Sequence, residues 1–188
     1  AKARVIVFWT KDAQPVIPYL KEVDSKGINY YFLFTVNDYE KEGLEIGVRS
    51  LAKRIDTFKM LSERIGKDKV IWRFDPLILT DKITVEGLLD KILKVGNQIA
   101  DYTNKLVISF ADISAYRKVQ NNFHRRHISY KEFTPETMEA VAKGLVKINK
   151  KWGLDIATCS EDIDLNKYHI KKNKCIDDDL MIKAFSQD

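Results

Sequence analysis

The chain has 188 residues, of which 45% are hydrophobic and 31% are charged, a composition typical of one globular domain that spans residues 1–188. No apolar run approaches the roughly 18 to 20 residues of a membrane span, and no signal peptide is recognisable, so we expect a cytoplasmic protein without membrane contact. The 32 basic and 27 acidic residues give a net charge of +5, which permits an anionic ligand but falls short of a composition that indicates nucleic-acid binding.

Five short runs rich in β-branched and aromatic residues predict β-strands. They lie at 5–9, 30–35, 70–74, 106–110 and 154–158. Most of their residues are apolar on both faces, as in a parallel sheet that is covered on both sides. Each run is followed by a polar cluster and then by a helical pattern, which is the order of a βα unit.

Helical periodicity fills the intervals between the strand-like runs. The patterns lie at 48–65, 85–99, 134–152 and 177–184. Gly66 and Gly153 follow two of them as stop signals, and Thr134 precedes Pro135 as an N-cap. Asp177 is predicted to cap the last, short helix. The piece from 114 to 133 has no such pattern and is predicted to be an irregular loop, either functional or mobile.

Regular alternation of strands and helices predicts an α/β fold, either a doubly wound open sheet or a (β/α) barrel. No glycine-rich phosphate-binding loop follows any predicted strand, which favours the barrel. The chain is short for a complete barrel of about 250 residues. We therefore expect a partial (β/α) TIM-like barrel of five to six parallel strands, incomplete at both ends. Its first residue is Ala1 rather than Met, which suggests a fragment of a longer protein.

Polar residues stand at the carboxyl end of every predicted strand, where both architectures bind their ligands. The candidate ligand-binding residues are Thr10, Lys11, Thr35, Asn37, Arg73, Asp75, Ser109, Asp112, Cys159 and Glu161. Arg73 and Asp75 share one face of a strand, where buried charge is unfavourable unless it is paired or used. They either bind a ligand or form a structural ion pair with each other.

The basic segment 114–133 offers a different interpretation. Arg117, Arg125 and Arg126 could contact phosphate while neighbouring aromatic rings stack on bases, or the segment could serve as a lid. A metal site is not expected in this chain, because two histidines without a placed third ligand are a weak signal. The two cysteines, Cys159 and Cys175, are too few for a tetrahedral thiolate site or a disulfide framework, and they are compatible with a reducing compartment.

Several of these segments resemble, in order, one uncharacterised prokaryotic family, a domain of unknown function. The segments are VFWTK (7–11), YFLFT (31–35), LSERIG (61–66) with VIWRFDP (70–76), VISF (107–110), and TCSE (158–161) with CID (175–177). Full-length members of that family carry a C-terminal cysteine cluster like that of radical S-adenosylmethionine enzymes. The resemblance covers nearly the whole chain.

The resemblance implies a partial barrel related to radical S-adenosylmethionine folds. It also implies a four-iron, four-sulfur cluster and S-adenosylmethionine in the full-length protein, with neither cofactor bound by this chain alone. Family members have a further strand segment before residue 1 and the cysteine cluster after residue 188, so these residues alone are expected to be inactive. The residues that could hold S-adenosylmethionine or a substrate are Arg73, Asp75, Ser109, Asp112 and Glu161.

Two other functions remain open from the sequence. One is a metal-dependent (β/α)-barrel hydrolase or isomerase that uses Asp75, Asp112, Glu161 and a histidine as ligands. The other is a non-enzymatic nucleic-acid-binding module that uses the segment 114–133. No histidine directly follows a predicted strand, which counts against a zinc hydrolase, and the modest net charge counts against a pure nucleic-acid-binding module.

Overall fold

The computed structural model describes residues 3–159 and 163–185, and its main element is a sheet of six parallel strands. The strands are β1 (Val5–Thr10), β2 (Asn29–Thr35), β3 (Val70–Leu77), β4 (Leu79–Thr80), β5 (Lys105–Phe110), β6 (Tyr130–Lys131), β7 (Asp155–Thr158) and β8 (Ile170–Lys172). Strands β4 and β6 form a separate antiparallel pair. The other six lie in the order β1-β2-β3-β5-β7-β8, so each strand lies beside the one that precedes it in the chain.

The sheet is open, because within the described residues β1 and β8 each pair with one neighbour only. The predicted α/β class and parallel sheet are confirmed, with six strands and flanking helices. Closure into a TIM barrel is not confirmed. A complete barrel of that type has more strands than this sheet.

Helices connect the strands of the sheet. They are α1 (Leu20–Ser25), α2 (Leu51–Ile65), α3 (Val85–Ile99), α4 (Arg117–Arg125), α5 (Pro135–Trp152) and α6 (Asp178–Phe185), with 3-10 turns at Ile17–Tyr19, Lys67–Lys69, Ala100–Tyr102 and Asn166–Tyr168. The Thr134 side chain accepts a hydrogen bond from Thr137 N at 3.3 Å, and Gly153 ends α5 in the left-handed region at φ 66°, so the predicted cap and stop are confirmed. In the part of the chain that the structure describes, no helix is long and apolar enough to cross a membrane.

Alternate strand residues face opposite sides of the sheet, and each side has its own apolar cluster. On the helix face, Phe32, Trp72 and Ile108 pack in one core with residues of α2, α3 and α5. We call the opposite side the α6 face: its cluster consists of Tyr31, Leu33, Ile71, Val107 and Cys159, with Leu180 and Met181 of α6 packed against it. Helix α6 therefore covers part of the face towards which Arg73, two residues after Ile71, also points.

Asp177 fixes the start of α6, as the sequence predicted. Its Oδ1 accepts a hydrogen bond from Leu180 N at 2.9 Å, and Lys105 Nζ donates to its Oδ2 at 2.7 Å. Burial acts to raise the pKa of Asp177, but the bonds from Lys105 and from Leu180 together hold the pKa below the ordinary aspartate value. The carboxylate thus stabilises the attachment of α6 to the sheet.

Several elements differ from the sequence prediction. The segment 114–133 is not an irregular loop, because it contains α4 and β6. Of the residues of α4 only Phe123 is buried, and its ring lies 5.7 Å from that of Tyr130. A helix with one buried residue has no repeated apolar pattern in its sequence, so the sequence did not predict it. Strand β8 was also missed, since of its three residues only Ile170 is buried.

Candidate functional site

The carboxyl ends of β2, β3 and β5 bring several of the predicted site residues together on the α6 face. Thr35 pairs in register with Arg73, and Arg73 pairs with Val107. Asp75 lies two residues after Arg73, where its carboxylate Oδ1 accepts a hydrogen bond from the Ser109 hydroxyl. Thr35 and Arg73 are buried, whereas Asp75 and Ser109 are partly accessible. The polar group therefore lies at the boundary between the sheet interior and solvent.

The guanidinium group of Arg73 is the least usual feature of this site. Only 3% of Arg73 is exposed. Its Nη2 donates to Asp75 Oδ2, and its Cζ lies 4.4 Å from the centre of the Trp9 ring, which is a cation–π contact. Its Nε and Nη1 have no hydrogen-bond partner among the described residues. Because buried, unpaired donors cost about 1–3 kcal/mol each, this arrangement is poorly explained as an ion pair that only stabilises the fold.

The backbone of Asp75 is held from the neighbouring strand. Asp75 N donates to Asn37 Oδ1 at 2.9 Å, and Asn37 Nδ2 donates to the Asp75 carbonyl at 3.1 Å. Beyond the cis Asp75–Pro76 bond, Tyr39 OH donates to the Pro76 carbonyl at 3.0 Å and accepts from Ile78 N at 3.1 Å. The side chain of the predicted residue Asn37 is buried and holds the backbone of Asp75.

A second buried arginine lies on the helix face of the sheet and holds Asn37 in place. The sequence analysis did not identify this residue as part of the site. Arg54 of α2 is fully buried, and its Nη2 donates to the Asn37 carbonyl at 3.2 Å and to Glu45 Oε2 at 3.0 Å. Its Nε donates to the Arg49 carbonyl at 2.9 Å. A sequence signal existed, since Arg54 lies three residues after Leu51 and four before Phe58, within the apolar stripe of α2.

Both cysteines lie near Arg73. The Cys159 Sγ and Cys175 Sγ atoms are 3.7 Å apart, and Cys159 is buried while Cys175 is exposed. Burial lowers the pKa of Arg73, and the sulfurs of Cys159 and Cys175, as thiolates, act in the opposite direction. Strand β8 returns beside β7 and brings the later cysteine back to the earlier one, which their separation in sequence did not indicate.

Other predicted site residues have local roles. Thr10 Oγ1 accepts from Asp12 N at 2.9 Å in a turn, and Lys11 Nζ is paired with Glu45 Oε1 at 3.0 Å. Asp112 Oδ1 accepts from Ser114 Oγ at 2.8 Å and from Ala115 N at 3.1 Å. None of these four contacts involves Arg73 or Asp75. Glu161 lies outside the residues that the structure describes.

The three arginines predicted as nucleic-acid contacts lie on or next to α4. Arg117 and Arg125 are exposed, and Arg126 Nη1 donates to the Gly43 carbonyl at 2.6 Å. One of the three is therefore occupied by a contact with the loop after β2. The surface of α4 is basic but is separate from the contacts that surround Arg73.

Acidic and thiol side chains do not assemble a metal site around Arg73 in the described ranges. There, the one group of at least three possible ligands within 4.8 Å of one another is Asp177, Asp178 and Asp179. Lysines already pair with all three carboxylates, since Lys174 Nζ lies 2.5 Å from Asp178 Oδ1 and 2.8 Å from Asp179 Oδ2, and Lys105 holds Asp177. Asp75 and Asp112 accept hydrogen bonds from different hydroxyl groups, those of Ser109 and Ser114.

The fold and site define an α/β protein with a polar, arginine-centred cluster at the carboxyl end of an open parallel sheet. The chain belongs to the family described as "Domain of unknown function (DUF1848)", which matches residues 1–188. No curated protein matches the sequence. Among solved structures, a citrate lyase from Burkholderia xenovorans LB400 is similar at 8% identity and a TM-score of 0.28, over 98% of this chain and 77% of that one. A similarity this low supports no functional argument.

Proposed function

We propose that this chain is the ligand-binding core of a radical S-adenosylmethionine-like enzyme with a partial (β/α) barrel fold. In this proposal the cluster cysteines come from outside residues 1–188, the protein is cytoplasmic, and its substrate is a small molecule. The observation that carries the proposal is the buried guanidinium of Arg73, which lies at the carboxyl end of a parallel strand and whose Nε and Nη1 have no hydrogen-bond partner among residues 3–159 and 163–185. Nucleic acid and membranes have no part in it.

The topology supports the barrel part of the proposal. All six strands are parallel and lie in their order along the chain, which is the strand order of a (β/α) barrel. In a doubly wound sheet the strand order reverses at a switch point, and this sheet has no such reversal in the part described. Further strands added at β1 or β8 would extend the same sheet.

The chemistry of Arg73 and Asp75 supports an amino-acid moiety as the ligand. A guanidinium with free N–H donors can bind a carboxylate through charge-assisted hydrogen bonds. Asp75 is 19% exposed, and each carboxylate oxygen has a second lone pair with which to accept from an ammonium group. S-adenosylmethionine carries both groups on one carbon. The indole of Trp9, which covers the guanidinium and is 54% exposed, would form one wall of the site.

The iron–sulfur cluster does not fit the residues of this chain. Its thiolate ligands would have to number at least three in an enzyme of this class, and the sequence has two cysteines. A cluster held by cysteines elsewhere in the protein would supply the electron for reductive cleavage of S-adenosylmethionine. These residues would contribute ligand binding and orientation, and the thiolates would come from another part of the protein.

Equilibrium binding of S-adenosylmethionine to the full-length gene product, reconstituted with its cluster, tests the proposal. Calorimetric titration of the wild type is compared with Arg73→Met, which removes the donors, and with Arg117→Met, which removes an exposed arginine of α4. A lost charge-assisted hydrogen bond is worth about 1.5–3 kcal/mol, so Arg73→Met should raise Kd by roughly 10- to 150-fold. Arg117→Met should leave Kd unchanged. Equal affinity in all three proteins would count against the proposed site.

The two alternatives from the sequence have less support. A metal-dependent hydrolase or isomerase would need Asp75 and Asp112 near one ion, but they bond to different partners. A nucleic-acid-binding module would rely on the basic surface of α4, and the Arg126 side chain of that surface is occupied. Salt-sensitive DNA or RNA binding that is lost in Arg125→Ala would favour the second alternative.

A further inference from the structure

We propose that Cys159 and Cys175 form a redox-active thiol pair that closes reversibly to a disulfide by exchange with a small-molecule disulfide. This inference does not depend on which ligand Arg73 binds. We refer to the two residues as the thiol pair.

The positions of the sulfurs suit this chemistry. At 3.7 Å the Sγ atoms are in contact without a bond, so a modest side-chain rotation would bring them to the bonded distance of about 2.05 Å. Cys175 is exposed and Cys159 is buried. An external disulfide can therefore reach Cys175 directly, whereas Cys159 can react only with its neighbour.

The backbone on the two sides of the pair differs in how firmly it is held. Cys159 N donates to the Ile108 carbonyl at 2.9 Å, which continues the ladder between β7 and β5. Cys175 lies in a bend between β8 and α6. The bend follows Asn173, whose N donates to the Thr158 carbonyl at 2.7 Å. The buried sulfur is thus fixed, and the bend that carries Cys175 can supply the small movement needed for bond formation.

Two hydrogen-bond donors lie close to the thiol pair. The guanidinium of Arg73 interacts with both sulfurs. Asn173 Nδ2, 4.0 Å from Cys159 Sγ, is a further donor. Thiol–disulfide exchange proceeds through the thiolate form of the attacking cysteine.

The reaction balances in two steps. The Cys175 thiolate attacks one sulfur of the external disulfide, which forms a mixed disulfide and releases one small thiolate. The Cys159 thiolate then attacks the Cys175 sulfur and releases the second small thiolate. The two cysteine protons go to the released thiolates, and two electrons pass from the thiol pair to the external disulfide, which is reduced to two thiols. A small dithiol reverses the reaction.

Oxidised glutathione is a suitable probe, with intact mass and thiol alkylation as the measurements. The wild type should lose the mass of two hydrogens and become resistant to alkylation without retaining glutathione, and dithiothreitol should restore both thiols. Cys159→Ser should accumulate a stable glutathione adduct at Cys175, because the resolving thiol is absent. Cys175→Ser should remain unmodified, because Cys159 is buried. Urea denaturation of the reduced variants checks that each is folded.

Three outcomes would overturn the proposal. The first is a wild type that keeps glutathione on Cys175 as stably as Cys159→Ser does. The second is a product made of disulfide-linked dimers, which would show that the sulfurs pair between molecules. The third is a reduced protein whose two thiols are protected from alkylation by a copurified metal ion and are released by a chelator, since the thiol pair would then be part of a metal site.

Discussion

Replacing Arg73 by methionine should leave the fold nearly as stable as the wild type, although it removes a buried ion pair. Methionine keeps most of the apolar stem of arginine and carries no donors that need partners. Asp75 remains 19% exposed and keeps its hydrogen bond from Ser109. The substitution therefore does not leave an isolated charge in the interior.

The expected magnitude follows from the contacts of Arg73. Its bond to Asp75 contributes about 1.5–3 kcal/mol and its contact with Trp9 about 0.5–1 kcal/mol. Against these stand the unpaired Nε and Nη1, which cost about 1–3 kcal/mol each. The opposing contributions are of similar size. The free energy of unfolding should therefore change by no more than about 1 kcal/mol.

Urea denaturation of the wild type, Arg73→Met and Arg54→Met measures this difference. Arg54 is a suitable control, because it is also buried and its Nη1 also has no partner among the described residues, but its Nε and Nη2 bond to Arg49, Asn37 and Glu45. Its removal leaves Glu45, which is 2% exposed, with the partly exposed Lys11 as its one charged partner in the described part of the chain. Arg54→Met should lower the free energy of unfolding by about 3–5 kcal/mol. A similar loss for Arg73→Met would refute the reasoning, because Arg73 would then be a structural ion-pair residue.

Three further predictions concern packing, pH and oxidation. Gly96→Ala should destabilise the protein by about 1–3 kcal/mol in urea denaturation, because the added Cβ would overlap the Trp152 ring; Gly87→Ala, whose Cβ finds 3.7 Å of space, should cost less than about 0.5 kcal/mol. Burial raises the pKa of Asp177, but its hydrogen bonds outweigh burial and hold the pKa below the ordinary aspartate value of 3.8. The ionised carboxylate therefore stabilises the fold at pH values above 3.8, and this stability should be lost as the pH falls below that value. A urea midpoint that depends equally on pH in the wild type and in Asp177→Asn would contradict this prediction. Oxidation of the thiol pair closes a short loop and should raise the free energy of unfolding by up to about 3 kcal/mol. If the urea midpoints of the oxidised and reduced proteins are the same, the disulfide does not stabilise the fold and this prediction is wrong.

Much of the fold could be predicted from periodicity, because the sheet and the long helices bury whole apolar faces. Trp72 and Phe74 alternate with Ile71 and Arg73, and that alternation is enough to predict a strand and its two faces. Some elements with few buried residues were missed, although α6, which buries none, could be predicted from its capping aspartate and short apolar pattern. Helix α4 and strand β8 each bury a single side chain.

The candidate site could be predicted only where it depends on a single strand. The positions of Arg73 and Asp75 on one face follow from their spacing of two residues. The sequence allowed two roles for them, ligand binding or an ion pair with each other. The contacts of Arg73 with Trp9 and with the cysteines depend on strands that meet only after folding. The same is true of the link from Arg54 through Asn37 to Asp75. No spacing rule connects residues on different elements.

The most direct test of the proposed function uses the full-length gene product. It would be purified and reconstituted without oxygen, and iron, acid-labile sulfide and cleavage of S-adenosylmethionine would be measured on one sample. The proposal predicts roughly four iron and four sulfide per molecule, with cleavage that Arg73→Met abolishes while the iron content is unchanged. A protein that binds no iron under these conditions would contradict the proposal.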